Sequence, residues 1–161
     1  MTGGSEGKVR QWDVEKGVEL WSALEVHPGG VNAVQFFFGV VGFITAGEDR
    51  GIKFWVWNPD EKPAIIHQHR SHGQAVTSLA ASADGRFIVT GSLDRTVKLF
   101  NTRIEGSEAP LFFGRERFTF SGMNSPVRAV AVSANNLILA GAGEDGTIHF
   151  WRAAPKERKP E

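Results

Sequence analysis

The sequence predicts an all-β fold: repeated four-stranded antiparallel sheets that form part of a ring without closing it. Three observations carry that prediction. A strand–turn–strand pattern recurs at Thr2 to Trp12, Thr45 to Trp55, Thr90 to Phe100 and Ala140 to Trp151. Each copy has a turn rich in Gly, Asp or Glu and ends on an aromatic residue, and the copies lie roughly 45 residues apart. The chain's 19 Gly, 12 Phe and 5 Trp suit many short strands joined by tight turns. No segment reads as a convincing helix.

The elements follow in order. Met1 to Gly4 reads as the tail of a strand. Lys8–Val14 and Val18–Leu24 are strands around a Glu15-Lys16-Gly17 turn. After the loop His27-Pro28-Gly29-Gly30 come strands Val31–Phe37, Phe43–Gly47 and Ile52–Trp57. The turn Asn58–Pro63 leads to strand Ala64–His69. The loop Arg70–Gly73 restarts the cycle with Ala75–Ala81, Phe87–Ser92 and Thr96–Asn101. A longer connection, residues 102–115, precedes Glu116–Phe120. The last cycle gives Val127–Ser133, Leu137–Ala142 and Thr147–Arg152. The cycles thus cover about residues 1–24, 31–69, 76–120 and 127–152 of one partial β-propeller, residues 1–152. Residues 153–161, polar and charged with two prolines, read as a disordered tail.

Composition narrows the function. The 18 basic and 18 acidic side chains cancel, which argues against a strong field toward nucleic acid or an anionic membrane. With no cysteine, disulfides, thiolate zinc sites and cysteine nucleophiles are excluded. The longest apolar run, Phe36 to Ile44, is far shorter than the ~20 residues of a spanning helix. The first residues lack the basic-then-apolar pattern of a secretion signal. The expectation is an intracellular protein, cytoplasmic or nuclear.

Two details bring a family into view. Trp12-Asp13 is a Trp-Asp dipeptide, and His27 and His72 each stand 22 residues before a turn aspartate, Asp49 and Asp94. The cycles resemble WD repeats. That resemblance implies a structural tetrad in each repeat: a loop His, a Ser/Thr on the second strand, a turn Asp and a Trp on the third strand. One cycle has all four: His27, Thr45, Asp49 and Trp55. The next has His72, Thr90 and Asp94, with Phe100 in place of Trp. The last has Asp145 and Trp151, but Met123 stands at the His position, Ala140 at the Thr position, and one residue is added to its turn. The first has Thr2, Glu6 and Trp12. Such a network has a physical reason: a carboxylate drawn into a sheet needs donors to offset its desolvation. Ser/Thr, His and Asp also make hydrolase triads. One network per repeat is not the arrangement of a unique active site, so no catalytic residue, metal or cofactor is expected. The last cycle also loosely resembles the C-terminal blades of plant proteins that join CCCH zinc fingers to WD repeats.

The resemblance implies a non-catalytic scaffold for a protein or peptide partner. The partner positions are those five residues after the loop His, namely Asn32, Thr77 and Arg128, and those before the turn Asp, namely Glu48, Leu93 and Glu144. Ser5 is the counterpart in the first turn. Arg128 near Glu48 and Glu144 would make a mixed-charge surface suited to a polar peptide. The alternative is a nucleic-acid- or RNA-associated regulatory protein whose binding domain lies outside this chain. Because the first and last cycles are incomplete, the chain is expected to be the C-terminal part of a larger propeller, with the missing half as a partner.

Four further motifs stand out. Phe36–Gly42, where the next cycle has a polar turn, is either a partner surface or local core. His67-Gln68-His69 places two imidazoles on one strand face, with no third metal ligand once His72 is assigned to the tetrad. Gly141–Gly146 has the glycines of a phosphate loop without its Gly-Lys-Ser/Thr. Lys156-Glu157-Arg158-Lys159 is a short basic run that reads as a solvated tail.

Overall fold

The computed structural model describes residues 1–36, 42–57, 61–102 and 115–153. Among them are fourteen strands and no helix. The strands form four antiparallel sheets, each a simple meander. The first sheet holds β1 (Thr2–Gly3), β2 (Val9–Asp13) and β3 (Val18–Ala23). The second holds β4 (Val31–Phe36), β5 (Gly42–Gly47), β6 (Gly51–Val56) and β7 (Ala64–Arg70). The third holds β8 (Val76–Ala81), β9 (Phe87–Ser92), β10 (Val97–Asn101) and β11 (Arg115–Phe120). The fourth holds β12 (Val127–Val132), β13 (Ile138–Gly143) and β14 (Ile148–Arg152). The expected strands are therefore all present, with ends shifted by a residue or two. Expectations for residues 37–41, 58–60, 103–114 and 154–161 lie outside the described residues. That includes most of the Phe36–Gly42 patch, the long connection, the basic run and all of the tail but Ala153.

The sheets stack side by side and do not close into a barrel. β1 packs on β4, β4 on β8, and β8 on β12. Side chains on a strand alternate between faces, so a sheet stacked on both sides must be apolar on both. β6 shows how this works. Ile52 and Phe54 face the third sheet, where they share a core with Ile44, Ala46, Val76, Ile88 and Phe100. Trp55 faces the first sheet, in a core with Val9, Val26, Val31 and Phe43. A third core joins Val89 and Val97 of the third sheet to Met123, Val127 and Leu139.

The three junctions repeat one aromatic contact. A ring on the outer strand of one sheet packs against the aromatic endpoint of the next. Trp21 meets Trp55 edge-on at 5.8 Å between ring centres, His69 meets Phe100 at 5.8 Å, and Phe120 meets Trp151 at 5.2 Å. Such pairs add to plain area burial.

Among the described residues, nothing covers the outer faces of the first and fourth sheets. In register, Ile148 and Phe150 on β14 match Ile52 and Phe54 on β6. Phe54 is 1% exposed and Phe150 70%. On the first sheet, Trp12 is also exposed.

Truncating Phe54 to Ala is expected to cost about 3–5 kcal/mol, read as a lowered urea midpoint. Phe118→Ala on the exposed outer strand β11 is expected to cost less than about 1 kcal/mol. Equal losses would show that the stack between the second and third sheets is not the main core.

Candidate functional site

The loops and turns at one end of the stack hold most of the polar residues singled out by the sequence. In the second sheet, His27 Nδ1 lies 2.6 Å from Asp49 Oδ1, and its Nε2 lies 2.8 Å from Thr45 Oγ1. The indole N–H of Trp55 donates to the same Thr45 oxygen at 3.1 Å. An indole nitrogen can only donate. The Asp49 carboxylate can only accept, so Nδ1–H of His27 donates to it, and in a neutral ring Nε2 then accepts the Thr45 hydroxyl proton. That order requires a neutral imidazole. Burial pushes the His27 pKa below its ordinary 6.5, against the opposing pull of Asp49. Burial alone would raise Asp49, but the hydrogen bond from His27, the Gly51 N–H at 3.1 Å and Lys53 at 3.7 Å hold its carboxyl below the ordinary range. Lys53 also donates to the Val26 carbonyl, which ties β6 to the loop before His27.

The third sheet builds the same turn with one part changed. His72 Nδ1 lies 2.9 Å from Asp94 Oδ2, and Nε2 lies 2.7 Å from Thr90 Oγ1. Phe100 offers no N–H, so Thr90 has one partner fewer. Asp94 is better held in compensation: the Thr96 hydroxyl donates to it at 2.6 Å and the Gly73 N–H at 2.8 Å. Burial would raise Asp94, but these bonds and that from His72 lower it. Burial lowers His72 despite Asp94. The sequence reading did not assign Thr96 a role. The signal was there as a hydroxyl two residues after the turn Asp, repeated at Thr147.

The fourth sheet corrects the sequence reading. Gly141, not Ala140, lies opposite His149, as Thr45 lies opposite Lys53 and Thr90 opposite Lys98. The residue after each turn acid has a left-handed φ: Gly7 at 75°, Arg50 at 67°, Arg95 at 68° and Gly146 at 80°. The turn from Gly143 to Thr147 is thus equivalent to the others, and no residue is added. Ala140 pairs with Phe150 and belongs to the opposite face. A side chain at 141 would crowd the Trp151 ring and Val97, each 3.1 Å from an added Cβ. Met123 sits buried at the His position. With no imidazole to draw it in, Asp145 stays exposed and accepts bonds from the Thr147 hydroxyl at 2.6 Å and N–H at 3.0 Å. The Thr147 hydroxyl lowers its carboxyl pKa. Trp151 packs on Phe120 and His149. In the first sheet Trp12 donates to Thr2 at 2.9 Å, and Glu6 at the acid position pairs with Arg10 at 2.6 Å.

The three partner positions that follow the loops are β-bulges. The β4/β5 ladder skips Asn32, the β8/β9 ladder skips Thr77, and the β12/β13 ladder skips Arg128. A bulge re-aims its side chain out of the alternation. Asn32 donates to the Val76 carbonyl of the next sheet at 3.0 Å and to Glu48 at 2.9 Å. Thr77 donates to the Val127 carbonyl of the next sheet at 2.7 Å. These two positions thus fasten one sheet to the next. Arg128 pairs with Glu144 at 2.8 Å, and both are exposed. Glu48 is held by Asn32 rather than by Arg128. The N–H groups of Glu48, Leu93 and Glu144 donate to Gly30, Ala75 and Pro126 in turn, so all three turns are pinned alike. Leu93 is half-buried and Ser5 exposed. On β7, His67 packs near Phe54 and His69 on Phe100. No group of three His, Cys, Asp or Glu that could hold a metal occurs among the described residues. Nor is any helix there long and apolar enough to cross a membrane.

The repeat is equally visible by comparison with known proteins. The family model described as WD domain, G-beta repeat matches residues 64–101 and 114–152. Those residues carry WD repeats. Each match starts on the outer strand of one sheet and runs through three strands of the next, so the WD unit straddles two sheets. The chain is 28% identical over 151 residues to a guanine nucleotide-binding protein subunit beta-like protein of Encephalitozoon cuniculi, covering 89% of this chain and 42% of that protein. It is 36% identical over 111 residues to a probable cytosolic iron-sulfur protein assembly protein 1 of Malassezia globosa, covering 64% of this chain and 29% of that one. It is 24% identical over 103 residues to the human pre-mRNA-processing factor 17, covering 64% of this chain and 17% of that one. The chain thus spans less than half the length of each of these WD-repeat relatives.

Two outcomes follow from the WD-repeat networks. Thr45→Val orphans both Trp55 Nε1 and His27 Nε2, whereas Thr90→Val orphans His72 Nε2 alone. The first is expected to cost about 1–3 kcal/mol more than the second in urea unfolding, the penalty for one extra buried unsatisfied group. Equal costs would refute the Trp55–Thr45 bond. The second outcome concerns pH. Free imidazole titrates near 6.5 and folding lowers His27 and His72, so below that pH the unfolded chain binds the extra protons. Burial, with His67 nearby, lowers His69 and adds to the same slope. Stability is expected to be flat above about pH 7.5 and to fall from pH 7 to 5, by at most about 1.4 kcal/mol per pH unit for each histidine. His27→Gln should remove one share of that slope; an unchanged slope would refute the neutral assignment.

Proposed function

We propose that this chain is a non-catalytic intracellular scaffold that presents the loop end of its WD repeats to a protein or polar peptide partner. One observation carries the reading. His27 and His72 are 0% and 6% exposed and use both ring nitrogens to hold a turn in place. A triad needs a nucleophile open to substrate, but the Thr45 and Thr90 hydroxyls are fully buried. Backbone bonds pin the turns that carry Glu48 and Glu144, and the β12 bulge carries Arg128, all three exposed and of both signs. Such a surface suits a partner with polar groups of both charges. WD repeats in the relatives named above sit in longer proteins, and we take residues 1–152 as one partial propeller whose remaining sheets lie in a further polypeptide segment.

The alternative, association with RNA, rests on the printed name of the pre-mRNA-processing relative. The balanced charge of the chain and the pairing of Arg128 with Glu144 favour the protein partner.

The test is cross-linking and affinity capture from cell extract with the wild-type chain and an Arg128→Glu/Glu144→Lys variant. Recovery of a stoichiometric partner, cross-linked to the loop end, is expected to fall at least about tenfold in the variant while the melting temperature holds. A partner cross-linked to the outer strands and indifferent to the variant would refute the reading. RNA retained in a salt-dependent manner by the purified chain would favour the alternative.

A further inference from the structure

Three arginines line one ridge at the loop end, above the junction of the second and third sheets. Arg50 and Arg95 sit at the tips of two neighbouring turns. Both have a left-handed φ, 67° and 68°, where the first and fourth sheets place Gly7 and Gly146. A glycine takes that conformation without strain and an arginine does not. Arg70 closes β7, and its register partner is Gly51, the residue after Arg50. Beyond Arg70 the chain reaches Gly73, whose N–H bonds Asp94, the residue before Arg95. Contacts already made thus lead from the first arginine to the third. The other junctions lack this set. By the same register Leu24 and Ser121 stand where Arg70 does, and Gly7 or Gly146 replaces one of the tips.

All three side chains are exposed. Among the described residues none has a carboxylate within ion-pair distance, and the acids nearby are taken. Glu48 accepts from Asn32, Asp49 from His27 and Gly51, and Asp94 from His72, Gly73 and Thr96. Unpaired like charges on one ridge repel each other, and an anion laid along it relieves that repulsion. The second and third sheets each have four strands and a neighbour on both sides, so the ridge is whole.

We propose that this ridge seats an extended acidic segment of a protein partner, with its carboxylates on the three guanidinium groups. The proposal rests on the reading of the loop end as a partner face and names the chemistry of that partner. Charge complementarity selects the occupant. A guanidinium presents paired N–H donors that match a carboxylate, and it stays charged throughout the physiological pH range. In an extended segment every second side chain faces the same way, at a spacing of ~7 Å, so acids at alternate positions can follow the ridge. A peptide can also place a neutral or basic residue opposite Glu48, which the unbroken phosphate chain of a nucleic acid cannot.

Fluorescence anisotropy with the 161-residue chain and a labelled decamer of alternating Glu and Ser tests this. The decamer is expected to bind with a dissociation constant below about 100 µM and to weaken as salt rises. An Arg50→Gly/Arg70→Ser/Arg95→Gly variant borrows the residues of the matching positions, and in it the affinity should fall at least about tenfold. An Arg115→Ser/Arg117→Ser/Arg152→Ser variant removes the same charge outside the ridge and should bind within about twofold of wild type. Equal losses in the two variants would mean a general field and overturn the proposal. So would a wild-type chain that ignores the decamer, a peptide held only when its serines are phosphorylated, or a single-stranded RNA decamer held more tightly than the peptide. The scaffold reading has a separate readout. A partner captured from extract that is lost from the Arg128→Glu/Glu144→Lys variant but kept by the ridge variant sustains that reading and overturns this proposal.

Discussion

The packing of one sheet's third strand against the next sheet, seen where Phe54 and Phe100 share a core, is the contact the rest of the structure depends on. A strand of alternating side chains that is apolar on both faces cannot lie at a protein surface. β6 is such a strand, so the second sheet is stable only with a neighbour on each side. This condition explains why the chain repeats at all. A sheet of four short strands buries too little alone, and stacking turns a series of marginal units into one continuous core.

Polar turns then have to be reconciled with that core. The loop that carries His27 crosses above β5, and its backbone closes on the turn of the same sheet. Neutral imidazole suits this place: it donates on one side and accepts on the other without the desolvation cost of a second charge. The fourth sheet reaches the same backbone by another route. Met123 and Gly141 replace the polar pair with a thioether and an empty position filled by the Trp151 ring. The turn survives because its own Thr147 satisfies Asp145. The histidine network is therefore one means of holding the turn and not the cause of the fold.

Much of this was legible before any coordinates. Strand positions such as Phe87–Ser92 could be read because alternation and Gly/Asp turns are local signals. The resemblance to WD repeats implied that His27, Thr45 and Asp49 form one group, as the structure has them. Two things were hidden. The register of the fourth sheet could not be read, since Ala140 and Gly141 are both small and a one-residue slip inverts the faces. The bulges at Asn32 and Thr77 were also invisible, because a bulge depends on pairing between strands and leaves no mark in one strand's composition. Both residues were read as partner positions, and the structure adds that each bonds the main chain of the next sheet.

Those fasteners end on main-chain oxygens, at Val76 and Val127. A carbonyl is the same whatever side chain its residue bears. The bolt between neighbours thus asks nothing of the neighbour's identity. These two bonds therefore survive a change of side chain at Val76 or Val127, whereas the apolar packing beside them does not.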